Sequence, residues 1–119
     1  MVTNAFFMMR LNDHIQYLKK VDAALKGQLD FQITSHTECK LGRWIYGEGV
    51  AEITLLKDSR AKEVFDSLIE PHARFHQISQ QALMKKQQGD ENAVRTAITE
   101  MHLLSTTLTN KLLELDKMK

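Results

Sequence analysis

Apolar residues recur along this chain in alternating steps of three and four, the period of a helix that buries one face. The first stripe reads Phe7, Leu11, His14, Leu18, Val21 and Leu25, inside a segment from about Thr3 to Lys26. Gly27 follows it and predicts a left-handed helix cap. Gln28 to Asp58 is less regular, with turn signals at Gly47 and Gly49 and room for one or two short helices around Leu41–Tyr46 and Val50–Leu56. A second long segment, about Ser59 to Gln88, carries the stripe Phe65, Ile69, His72, His76, Ser79, Leu83. Pro71 lies inside it and predicts a kink or a helix restart, because proline removes a backbone donor and disfavours helix at the residue before it. Gly89-Asp90 reads as a stop followed by a new cap. The last stripe is Val94, Ile98, Met101, Ser105, Leu108, Leu112, Leu115. Long helices, short connections and almost no strand signal predict an all-α fold: an antiparallel four-helix-type bundle with a short extra helix carrying Cys39.

The stripes contain polar residues that an apolar core does not accept unpartnered. His72 and His76 stand one turn apart on one helix face, so both can grip one metal ion. His14 occupies a core position on an earlier helix, and the chain's single cysteine, Cys39, lies between them in sequence. Three imidazoles and one thiolate form a complete tetrahedral zinc set, and a thiolate with imidazoles selects zinc over magnesium or calcium. Four protein ligands leave no open position, which favours a structural or sensory site over an enzyme. Each ligand also has a bland reading. A lone core histidine is usually just hydrogen-bonded, and a lone cysteine is usually a small buried hydrophobe. Their joint occurrence on stripes that face one core favours the metal. Zinc binding is expected to weaken as pH falls through the imidazole range near about 6.5. His36 and His102 lie off the stripes and are expected to be exposed and without a role.

Composition narrows the field further. The chain has 119 residues, enough for a single domain over 1–119, with 43% hydrophobic and 26% charged residues, as in ordinary globular proteins. A net charge of +1 without a basic stripe gives nucleic-acid binding no electrostatic support. No apolar run is long enough to span a membrane, and the first eleven residues lack the features of a signal peptide. One cysteine cannot form an internal disulfide, which fits a reducing, cytoplasmic setting. Phosphate-loop, nucleophile-elbow and His-Glu-x-x-His patterns do not occur, and neither does Glu-x-x-His, which speaks against a di-iron carboxylate bundle.

Three ordered elements, His14-Ile-Gln-Tyr17, Cys39-Lys-Leu41-Gly42-Arg-Trp44 and His72-Ala-Arg-Phe-His76, resemble the chemoreceptor zinc-binding domain family. The resemblance spans residues 14–76. It implies a helical bundle holding zinc through His14, Cys39, His72 and His76. It further implies a homodimeric bacterial cytoplasmic module that regulates an attached chemoreceptor or diguanylate cyclase output in response to zinc or to oxidants such as hypochlorous acid. Two other readings stand beside it. One is a hemerythrin-like di-iron oxygen-binding bundle, which needs more histidines and bridging carboxylates. The other is a plain helical dimerisation module. Apolar residues Phe6, Phe7, Met8 and Met9 on the first helix, with Leu103, Leu104, Leu112 and Leu113 on the last, suggest a two-fold homodimer.

Overall fold

A computed structural model describes residues 6–119, apart from the side chain of Phe6. The expected helix start at Thr3 therefore lies outside the described residues. The architecture is all-α, with three long helices and three short ones: α1 (Phe6–Leu25), α2 (Lys40–Ile45), α3 (Gly49–Thr54), α4 (Ala61–Asp66), α5 (Ile69–Gln87) and α6 (Glu91–Asp116).

The stripes read from the sequence are the faces that pack. Phe7, Val21 and Leu25 of α1 are buried, as are Met101, Leu108, Leu112 and Leu115 of α6. Gly27 (φ 74°) ends α1 and Gly89 (φ 76°) ends α5. At each, the amide after the glycine donates five residues back, Gln28 to Ala23 and Asp90 to Lys85, and the glycine amide donates three back. This paired cap satisfies carbonyls that a helix end leaves open, and it needs a left-handed residue. The Asp90 side chain then accepts from the Ala93 amide and starts α6.

Pro71 acts more strongly than a kink. The helical segment is broken, with α4 ending at Asp66 and α5 starting at Ile69, so that proline sits in the first turn of a new helix. There its missing N–H costs nothing, because first-turn amides have no intrahelical acceptor. The break turns Ile69 partly outward, at 36% exposure, against its place on the expected stripe. Phe65 on α4 stays buried.

Helices α5 and α6 form an antiparallel hairpin across the Gly89 turn. α1 and α5 run in the same direction. Towards their middles, His14 packs on Phe75, and near their ends Lys86 donates to the Ala24 carbonyl. α6 runs opposite to both. The antiparallel expectation thus holds for pairs with α6 and gives way to a parallel pair for α1 and α5. The physical cause is the long stretch between Leu25 and Ile69, including α2–α4, which carries the chain back to the end where α1 began. Trp44 of α2 closes that end, edge-on to Phe7 of α1 and to Phe65 of α4.

Candidate metal centre

The parallel pairing sets the histidines of α1 and α5 side by side. His14, His72 and His76 are all nearly fully buried, at 2%, 1% and 2% exposure. Cys39 reaches them from the N-cap of α2, where its Sγ accepts a hydrogen bond from the Gly42 amide at 3.2 Å. Sγ lies 3.2 Å from Nε2 of His72. Donor atoms of Cys39, His72 and His76 all fall within 4.8 Å of one another, close enough for one ion to reach all three.

Gly42 explains the spacing of the cysteine motif. A Cβ at this position would lie 1.7 Å from the His36 carbonyl oxygen and 3.3 Å from Cε1 of His72. Only glycine lets α2 lie this close to the preceding loop, and that closeness delivers the sulfur to His72.

Each imidazole is differently supported. Nδ1–H of His76 donates to the Thr34 carbonyl at 2.9 Å, which leaves Nε2 as the free lone pair. Thr34 is in turn held by Tyr17, whose hydroxyl accepts from the Thr34 amide at 2.8 Å and shares a further bond with its side chain. Tyr17 belongs to the first sequence element, so that element supplies both a histidine and the anchor for another histidine's support. Nδ1 of His72 is buried without a hydrogen-bond partner. His14 shares a 2.9 Å hydrogen bond between Nε2 and Ser105 Oγ and lies edge-on to Phe75. Its nitrogens stand outside the compact three-donor group formed by Cys39, His72 and His76.

Electrostatics favour neutral imidazoles. Burial, reinforced by His76, lowers the His14 pKa to about 4. Burial and the neighbouring histidines lower His72 to about 3. Burial also lowers His76, against the opposing Thr34 carbonyl. The Cys39 thiol is pushed up by burial, with the Gly42 amide pulling the other way. Neutral imidazoles and a thiol that must be deprotonated are the donor chemistry of zinc, and a bound cation would stabilise the thiolate that burial disfavours. The nitrogen of His72 that faces the thiol is Nε2, and a proton carried on the unpartnered Nδ1 leaves the Nε2 lone pair for an ion. The residues present therefore fit zinc.

Of the two histidines expected to be exposed, His102 is and His36 is not. His36 is only half exposed and its ring stands 6.1 Å from that of His72, beside the site. His102 is exposed but pairs with Asp22 at 3.0 Å.

The family model of the chemoreceptor zinc-binding domain matches residues 14–83, more than half of the chain. The chain belongs to the chemoreceptor zinc-binding domain family. That family is a zinc-binding regulatory one, and the Cys39, His72 and His76 cluster of this member is able to hold the metal. Searches of curated proteins and of solved structures found no match. Among the described residues, no helix of this chemoreceptor zinc-binding domain is long and apolar enough to cross a membrane.

Proposed function

We propose that this domain is a cytoplasmic sensory module of bacterial signalling, over the whole of 1–119, and that it binds one zinc ion through His14, Cys39, His72 and His76. The observation that carries the reading is the 3.2 Å approach of the only thiol to His72, inside a buried cluster of three donors. His14 completes the set by a small shift of α1 towards the cluster, with its bond to Ser105 kept. The output is the control of chemotaxis or of cyclic-di-GMP synthesis through an attached chemoreceptor or cyclase region. A di-iron oxygen carrier is disfavoured because the cluster contains a thiol and no carboxylate.

The signal is zinc, an oxidant or both. Zinc holds Cys39 as thiolate, the nucleophilic form, and it is the only sulfur in the set. Hypochlorous acid transfers its chlorine to this sulfur and releases hydroxide; water then displaces chloride to give the sulfenic acid. That sulfur is a weaker ligand, and its loss frees the segment Leu41–Trp44. Titrating hypochlorous acid into zinc-loaded protein is expected to release zinc, modify Cys39 and change Trp44 fluorescence in step. Cys39→Ala is expected to weaken zinc binding and abolish the oxidant response. If Cys39 stays unmodified while other residues are consumed, oxidant sensing is excluded and zinc sensing or a structural site remains.

We further propose a two-fold homodimer through α1 and α6. Met8 and Met9 (45% and 49% exposed) and Leu103 (66% exposed) lie on the outer faces of these two helices. Phe7 and Leu112 face the chain's own core, so they drop out of the expected patch, and the side chain of Phe6 lies outside the described residues. Sedimentation at micromolar concentration should give the mass of two chains; a single-chain mass would remove the dimer.

A further inference from the structure

The residues matched by the family end at 83, yet one polar side chain beyond that point reaches the metal centre. Ser105 lies in the middle of the apolar stripe of α6 and is only 4% exposed. Four threonines of the same helix, Thr96, Thr99, Thr106 and Thr107, turn their hydroxyls back to carbonyls one turn earlier. Ser105 instead meets Nε2 of His14 at 2.9 Å, between two buried groups on different helices.

We propose that Ser105 is the positioning residue of His14: its hydroxyl accepts Nε2–H, sets the tautomer of the ring, and leaves Nδ1 as the atom offered to zinc. A neutral imidazole carries its proton on one nitrogen and a lone pair on the other, so the partner of the first decides which atom can bind metal. The bond also fixes the ring's rotation about its own stem, which Phe75 alone, packed edge-on, does not. His76 is organised in the same way, with Thr34 holding Nδ1 and Nε2 left free. The two ligands thus receive opposite tautomers, one from a loop carbonyl and one from α6. Ser105 thereby ties the metal to a helix outside the matched region, and zinc binding is felt along α6. This rests on the reading of His14 as a ligand.

The test is a double-mutant cycle on the full chain, with zinc affinity measured by competition against a chromogenic chelator. Ser105→Ala is expected to weaken zinc binding by about 10–100-fold. Ser105→Thr, which keeps the hydroxyl, should recover most of that loss. In a His14→Ala background, Ser105→Ala should change affinity by less than about two-fold. Nitrogen-15 NMR of zinc-loaded protein should show His14 protonated at Nε2. Melting of each metal-free variant verifies that it folds. An equal loss in both backgrounds, or a His14 ring protonated at Nδ1, would overturn the proposal. If His14→Ala weakens zinc binding while Ser105→Ala does not, the ligand reading stands and the role of Ser105 falls. If His14→Ala leaves affinity unchanged, both fall together.

Discussion

Stripping zinc with a strong chelator is expected to lower the melting temperature by about 15 °C. A ligand present at about a thousand times its Kd adds about 4 kcal/mol to the native state. For a domain of this size each kcal/mol moves the melting point by about 4 °C. The metal-free protein has its own acid dependence. His14 and His72 have folded pKa values of about 4 and about 3, below the value near 6.5 they regain on unfolding. Their contribution is complete above about pH 6.5 and is lost as pH falls from there towards 4 and 3, because the unfolded chain takes up protons that the folded chain refuses. Chelated protein should therefore melt at falling temperatures between pH 6.5 and 4. Zinc binding follows another group. With the imidazoles already neutral at pH 7, the proton that zinc displaces is the Cys39 thiol's, which burial holds in place. The affinity is expected to fall with pH well before the imidazole range is reached, in contrast to the expectation from unperturbed histidines. Scanning calorimetry of zinc-loaded and chelated protein over this range checks each statement. Equal melting temperatures at pH 7, on preparations whose metal content is verified, would exclude a stabilising zinc site.

Gly42→Ala is expected to be the most damaging single methyl in the molecule. Its Cβ would stand 1.7 Å from the His36 carbonyl oxygen, a backbone atom that cannot rotate away. Either α2 moves off the loop, carrying Cys39 from His72, or the loop moves and strains the contacts of Thr34. Overpacking of this kind costs about 3 kcal/mol or more, and here it also removes the thiol from the cluster. Gly89→Ala provides the comparison. Gly89 has a positive φ of 76° and nothing within 4 Å of the added carbon, so its cost is backbone strain alone, about 1 kcal/mol. The first variant should lose both stability and zinc binding, and the second only a little stability. Denaturant melts and zinc titrations of the two variants separate these effects; unchanged zinc affinity in Gly42→Ala would show that the close approach of α2 does not position the sulfur.

The sequence made some of this legible and hid the rest for definite reasons. Helical period put His14, His72 and His76 on buried faces, and all three are buried, because a stripe is a statement about which side of a helix loses water. Gly27, Gly89 and Asp90 were legible as caps because their conformations are local. Period carries no direction, so the parallel pairing of α1 with α5 could not be read from it. Thr34 contributes a backbone carbonyl, which every residue has, and only the fold selects it. His36 lies in a loop without periodicity, and its place beside His72 comes from the turn that Gly42 permits. Ser105 did leave a signal, since it is a hydroxyl on an otherwise apolar stripe. Its partner is 91 residues away in the chain, beyond the reach of any local pattern.

Parallel helices have a consequence for charge. α1 and α5 finish at the same end of the bundle, so the negative poles of two helix dipoles, about half an elementary charge each, are set beside one another. Two features of that end answer the repulsion. The positive pole of α6 begins there, at Glu91, as the chain turns back. Lys86 extends its ammonium from the last turn of α5 to the Ala24 carbonyl in the last turn of α1, at 3.3 Å. The direction of travel that sets His14 beside His76 midway along these helices is thus supported at their common end by a lysine that touches no metal ligand.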